Sequence, residues 1–362
     1  MRGATVTEVK AMMLVEPRRL AATRLSPRSV SHGAWLAVEA TGLSGAEVQA
    51  WRGDRSDLVY PLIPGQQVVG RIADHLDGAI DLPIGTRVLV EPVIRCSACS
   101  SCRNGLASCT FRRPHNTYGS LPSTEPPGLW GGLAEWLYID PHARLHTISD
   151  DIPAVVATFG HPLAHAHTWA VEIGGLVAGD SILILGPGPR GLACLLAAQA
   201  AGAGWVGIAG LDVDSDRLDL ARRMGADLAV DVSVDDLGMA VAGSLGTRPD
   251  IVIDVTSDDP EAIFTALDLV RSGGRVVLAS TKGNRPLPQF FSDVIIAKQL
   301  SVQGALGASS SAYEWAASQL ETDPRIDDMV SHQFPLNESN RAIQATAGLL
   351  GHEELISVAV TF

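Results

Sequence analysis

Four cysteines stand in one short polar segment, Cys96, Cys99, Cys102 and Cys109 of CSACSSCRNGLASC. Successive spacings of three, three and seven residues let a single loop wrap four thiolates around one ion. Four thiolates in a tetrahedral array are the usual closed, structural zinc site. Two disulfides compete for the same residues, but the stretch MRGATVTEVKAMML lacks the apolar core of a secretory signal. A reducing, cytoplasmic compartment favours metal over disulfide. An iron–sulfur cluster is the other cargo such a set can hold. With every position a thiolate, no coordination site is left for substrate. The expectation is one structural zinc in a loop over 95–110, holding the loop and doing no chemistry.

A second constellation is the glycine run Gly186, Gly188 and Gly191 of GPGPRG, which follows the apolar run SILIL and opens a small-residue helix. A lone GxGxxG is weak, whereas in a strand–turn–helix context it marks a dinucleotide site. Gly186 permits the tight turn, Gly188 lets backbone approach a pyrophosphate and Gly191 lets helix pack on strand. Pro189 and Arg190 complete the turn at the helix N-terminus, whose free N–H groups receive phosphate. Asp212, 21 residues beyond Gly191, is the candidate ribose ligand, although Gly210 competes for the strand-end position. Asp212, Asp214 and Asp216 make a poor home for a 2′-phosphate, and Arg217 is the nearby cation. NAD(H) is therefore favoured over NADP(H).

These groups need elements to hold them. Residues from about 10 to 150 read as short β-runs broken by Gly and Pro (AMMLVEP, WLAVEATGL, QVVGRIAD, TRVLVEPV, LAEWLYID), an antiparallel, partly barrel-like region. A helical stretch, AVVATFGHPLAHAHTWAVE, follows with Pro162 as a kink point. From Asp180 strands alternate with helices, through SILILG, WVGIAG, DLAVDV and DIVIDVT to GGRVVLAS, which closes the series. That rhythm predicts an α/β protein with a doubly wound parallel sheet. The last ~55 residues return to the first domain. At 362 residues the chain is long enough for two cores. A net charge of −13 without a basic stripe argues against nucleic acid and anionic lipid. No apolar run reaches the ~18 residues of a membrane span.

Nearly the whole chain resembles the medium-chain, zinc-dependent alcohol dehydrogenase superfamily, particularly its polyol and threonine dehydrogenase-like branch. GLSGAEV, PGQQVVGRI, PIGTRVLVEP, the four-cysteine loop, WGGLAEWLYID, GPGPRG, GGRVVLAS and HQFPL carry the likeness. The resemblance implies a GroES-like catalytic domain over 1–167 and 307–362 and a Rossmann domain over 168–306. It also implies a cleft between them and a homodimer or homotetramer. The family's first catalytic-zinc ligand, a cysteine, falls on Ser44; its histidine falls on Gln66 and the following glutamate on Gln67. The third ligand falls on His161, and the hydroxyl of the proton relay on Ala46. Hydroxyl and amide are feeble zinc ligands, so no catalytic zinc is expected. His165 and His167, with His161, could revive a metal site or simply pack at the domain junction. Trp51 corresponds to a stretch lining the substrate cleft or sits in the core. Thr256, and Ser280 after it, close strands near the nicotinamide ribose. His115, Asn116 and Tyr118 follow the zinc loop toward the cleft mouth.

Without zinc, Ser44 and Gln66 could polarise a carbonyl as hydrogen-bond donors, or a conjugated C=C or C=N substrate could activate itself. His161 is the proton donor in either case. The expected activity is NAD(P)(H)-dependent reduction of an activated C=C, C=N or carbonyl group of a small molecule. Oxidation of a secondary alcohol or polyol is the alternative, and a nucleotide-binding sensor or scaffold the alternative from another class.

Overall fold

The computed structural model describes residues 8–77, 80–104, 109, 116–257, 259–283, 285–287, 289–351 and 355–362. Its strands are β1 Val9–Glu16, β2 Arg19–Leu25, β3 Ala34–Leu43, β4 Gln67–His75, β5 Arg87–Val90, β6 Trp136–Ile139, β7 Leu145–Thr147, β8 Ser181–Leu185, β9 Trp205–Gly210, β10 Leu228–Asp231, β11 Ile251–Asp254, β12 Arg275–Leu278, β13 Ser301–Gly304, β14 His332–Pro335 and β15 Val358–Thr361. Its helices are α1 Gly45–Arg52, α2 Ser100–Arg103, α3 Ala154–Ala157, α4 Gly160–Ala166, α5 Pro189–Ala200, α6 Ser215–Arg223, α7 Leu237–Leu245, α8 Ala262–Leu269, α9 Asp293–Ala297, α10 Ser310–Thr322 and α11 Ser339–Thr346. Two compact units result, Met1–His161 with Tyr313–Phe362, and Pro162–Ala312. No helix among the described residues is long and apolar enough to cross a membrane.

Strand β3 is the spine of the first unit. Most of its residues are buried, and it pairs antiparallel with β15, β4 and β6 in a sheet of order β14-β15-β3-β4-β5-β7. Its register against β4 slips between Trp35 and Leu36 and between Val38 and Ala40, the bulges that let a sheet curl around a core. Leu14, Leu36, Leu62, Ile63, Ile72 and Trp130 fill that core. On the same strand Glu39 binds Arg71 of β4 at 2.7 Å and Arg87 of β5 at 2.6 Å. Arg87 is nearly buried and also donates to the carbonyls of Ser149 and Ile152, tying three strands to the segment that enters α3.

The second unit is a parallel sheet of order β10-β9-β8-β11-β12-β13. SILIL and IVID are buried throughout, as strands covered on both faces must be. The winding reverses between β8 and β11, the topological switch point where such sheets bind ligands. Two expectations are corrected here. GGRVVLAS does not close the series: β13, SVQG, adds a sixth strand beside β12. As a short polar edge it has no apolar run to read. Pro162 does not kink a helix either, because α4 starts at Gly160. In the first turn proline's missing N–H costs nothing. The next turn, His167–Ile173, is π-helical.

Asp254, fully buried, ends β11 at the switch point. Lys282 reaches it from the loop after β12, with Nζ 2.9 and 3.0 Å from its two oxygens and 2.8 Å from Thr256 Oγ1. Removing one partner of a buried ion pair leaves an uncompensated charge, at a cost of about 3–5 kcal/mol. Lys282→Met is therefore expected to destabilise the protein by about that amount, measured by denaturant unfolding; a loss below about 1 kcal/mol would mean that water replaces the ammonium.

Candidate functional site

The cysteine loop folds as a cage. Cys96, Cys99, Cys102 and Cys109 place all four Sγ atoms within 4.8 Å of one another. Sulfur separations are 3.6 Å for Cys96–Cys109 and 4.0 Å for both Cys96–Cys102 and Cys99–Cys109. A tetrahedron with metal–sulfur bonds of about 2.3 Å has edges of about 3.8 Å. A disulfide needs about 2.05 Å, so these atoms are spaced for an ion. Backbone N–H groups of Cys96, Cys99 and Cys102 point at the sulfurs of Cys109, Cys96 and Cys99. Ser97 adopts a left-handed φ of 56° to turn the loop. Bonds from the Ala98 and Cys99 amides draw the Cys96 thiol below its ordinary pKa. Desolvation and neighbouring sulfurs push Cys102 up to about 12, a crowding that a divalent cation at the centre reverses. Among the described residues this is the one cluster of three or more His, Cys, Asp or Glu with ligand atoms so close. His115 lies outside the described residues, as does part of the loop. Asn116 is buried and donates to the Cys109 carbonyl; Tyr118 is buried, its hydroxyl accepting from the Asp140 N–H.

A second group of polar residues gathers where β3 ends and β4 begins. Gly42 has no side chain because a Cβ there would stand 2.4 Å from Gln67 Oε1 and 3.2 Å from Thr158. That close approach joins the end of β3, the start of β4 and the α3–α4 segment. Ser44 follows as the N-cap of α1, its backbone extended. Its Oγ–H donates to Glu47 Oε2 at 2.8 Å, and its N–H to the same oxygen at 2.8 Å. Gln66 N–H donates to Glu47 Oε1 at 3.2 Å, and Gln66 Nε2 lies 3.5 Å from Ser44 Oγ. Glu47 is buried, and desolvation raises its pKa above the ordinary 4.5 against the opposing bond from the Ser44 hydroxyl. The sequence did not reveal it as a site residue, although S-x-x-E is the capping-box signature.

His161, fully buried in α4, has Nδ1 3.1 Å from the Tyr313 hydroxyl. The buried Tyr313 ring stacks on His146 at 5.2 Å, and His146 Nε2 meets Glu91 Oε1 at 2.9 Å. Glu91 faces Arg95, at 3.6 Å, one residue before Cys96. Tyr313 is the second residue the sequence did not reveal. Trp51 lies in the hydrophobic core beneath the Arg18 guanidinium, 5.8 Å from its ring. In the other unit His165 packs on Trp169 at 5.1 Å, and His167 Nδ1 is 3.6 Å from Glu172.

At the switch point Gly186 has φ 101°, and a Cβ on it would meet Thr256 at 3.1 Å. Gly188 caps α5, with nothing within 4 Å of where its Cβ would be, the open cradle a phosphate requires. A Cβ on Gly191 would strike the Gly186 carbonyl at 1.8 Å. Pro189 opens α5, and the Arg190 guanidinium lies 5.4 Å from the Trp169 ring. Asp212 is exposed in the turn after β9, and Arg217 is held by Asp214 at 2.9 Å. Gly210 ends β9, where a Cβ would meet Pro187 at 2.5 Å. Thr256 bonds Asp254 through N–H and Oγ–H, and Ser280 lies just past β12. The residues present fit a dinucleotide.

Residues 189–322 match the family described as zinc-binding dehydrogenase, and residues 31–150 match the alcohol dehydrogenase GroES-like domain. A probable alcohol dehydrogenase of Mycobacterium tuberculosis is 38% identical over 334 residues, 90% of this chain and 88% of the relative. Erythritol/L-threitol dehydrogenase of Mycolicibacterium smegmatis is 29% identical over 330 residues, 87% of each chain. L-threonine 3-dehydrogenase of Idiomarina loihiensis is 28% identical over 318 residues, 85% of this chain and 87% of the relative. Among solved structures, an alcohol dehydrogenase from Thermotoga maritima superposes with a TM-score of 0.87 at 22% identity, covering 98% of this chain and 99% of that one. That likeness shows the fold.

The cage generates a direct expectation. Cys102→Ser should drop bound zinc from one ion per chain to near none, read by elemental mass spectrometry, because a hydroxyl is a poor replacement for thiolate. Zinc retained at full stoichiometry would assign the ion elsewhere.

Proposed function

We propose that this chain, which belongs to the zinc-type medium-chain dehydrogenase family in its polyol and threonine dehydrogenase-like branch, moves a hydride between a nicotinamide cofactor and a small carbonyl or alcohol substrate with no zinc at the reacting oxygen. The chain is an NAD(P)-dependent oxidoreductase, which leaves the sensor or scaffold alternative without support. The observation that carries the metal-free reading is the Ser44–Glu47–Gln66 network. Family-type zinc would need donors at Ser44, Gln66 and His161, and these do not fit it. The Ser44 hydroxyl is committed to a carboxylate and Gln66 offers an amide. His161 alone supplies a strong neutral ligand.

In this reading Gln66, together with Ser44 when Glu47 carries the proton between them, donates to the oxygen on which negative charge develops, each such donor contributing about 3 kcal/mol when preorganised. His161, positioned by Tyr313, is the proton donor where the substrate is a self-activated C=C or C=N. Gln67 bounds the polar side of the pocket. The bound cofactor supplies the hydride; Gly186, Gly188, Pro189, Arg190 and Gly191 hold its pyrophosphate, and Thr256 adjoins its ribose. NAD(H) is preferred over NADP(H), because the acidic Asp212 and Asp214 after β9 would repel a 2′-phosphate and Arg217 is already paired. Hydrogen-bond donors polarise less than a divalent cation, which favours the second reading, reduction of an activated C=C or C=N.

Two measurements test the proposal. Purified protein should carry one zinc per chain, and a second ion outside the cysteine loop would overturn the metal-free reading. Ser44→Ala with Gln66→Ala should lower kcat/KM for ketone reduction about 100-fold or more, with NADH affinity unchanged by fluorescence titration. An unaffected rate would pass the assignment to the self-activated substrates.

A further inference from the structure

We infer that Glu47 is a positioning residue that stores the proton Ser44 delivers, so that a Ser44–Glu47 relay does in this chain what an acidified metal-bound group does elsewhere. The inference rests on the reading that Ser44 faces the reacting oxygen. A capping-box glutamate ordinarily lies on a helix surface, one oxygen on the N-cap amide and the rest in water. Here the carboxylate is buried, and its polar contacts include the Ser44 amide and hydroxyl, its own amide and the Gln66 amide.

Among the described residues no cation is paired with it. Arg52 closes the far end of α1, Arg341 on the packed helix α11 is paired with Glu338, and the Tyr60 hydroxyl is turned to the Ala50 carbonyl. A carboxyl desolvated without a cation holds its proton more tightly, consistent with the raised pKa. The sign follows: Glu47 favours the folded state below pH 4.5 and loses that contribution as pH rises through its raised folded value.

The atoms balance in both directions. In reduction the substrate carbon accepts the hydride and its C=O π pair moves onto oxygen. That oxygen takes the Ser44 Oγ proton, Ser44 Oγ takes the Glu47 proton, and Glu47 is left as a carboxylate with the cofactor oxidised. Half-exposed Ser44 then returns a solvent proton. Oxidation runs the same path backwards, with Glu47 entering as the carboxylate that already accepts the hydroxyl.

The test is a double-mutant cycle with pH profiles, beside a ¹³C-carboxyl NMR titration of Glu47 in the nucleotide-free protein. Glu47→Gln is expected to lower kcat about 100-fold with little change in KM and to remove the basic limb of the reduction profile. In a Ser44→Ala background it should cost nothing more, because the two act as a unit. The NMR titration should place Glu47 above its ordinary range in wild type and move it in Ser44→Ala. If Ser44→Ala is itself silent, the functional reading fails and the relay with it. If Ser44→Ala is impaired while Glu47→Gln keeps rate and limb, or Glu47 titrates normally, the relay alone is overturned. Should Glu47→Gln not fold, the NMR titration decides.

Discussion

Everything in the first unit's polar site depends on one close approach, the side chains of Gln67 and Thr158 both lying against the bare Cα of Gly42. Any larger residue at 42 would part three segments. With glycine there, Ser44 after β3 and Gln66 before β4 meet without a dedicated scaffold. The Glu39–Arg71–Arg87 clamp supports the same junction from behind, because Arg87 grips the carbonyls leading into α3. Packing density fixes such positions more firmly than any single hydrogen bond.

The nucleotide unit was legible because its rules are local. Glycine identity at 186 and 191 follows from φ and backbone clash, and the buried strands advertise themselves as runs of Ile, Leu and Val. The cysteine spacing was legible for a similar reason, since one loop contains every ligand. What escaped needs the third dimension. Tyr313 meets His161 across 152 residues of sequence, and no pattern in either neighbourhood announces the other. Glu47 sits in a readable capping box, but only the fold shows that its carboxylate is sealed from water. Lys282 could not be told from a surface lysine until the loop after β12 was seen to turn it onto Asp254. Trp51 illustrates the converse: a position matched to a cleft wall lies in the core, with Arg18 above its ring.

Buried ionisable groups recur wherever the chain makes a junction, and each is compensated differently. Asp254 has an ammonium and Glu91 has Arg95 and His146. The four sulfurs are arranged for a cation. Glu47 has hydroxyl and amide dipoles alone. Compensation by charge gives a rigid strut. Compensation by dipoles leaves the protonation state responsive to whatever enters nearby.

The start of α1 has one more implication. The hydroxyl and carboxylate that cap its first turn are also the two groups of the proposed relay, so in that proposal folding and turnover share a single hinge of selection at these two side chains. Sequence drift at either position is exposed to both pressures at once. A lineage that relaxes the chemistry must also find another way to begin the helix.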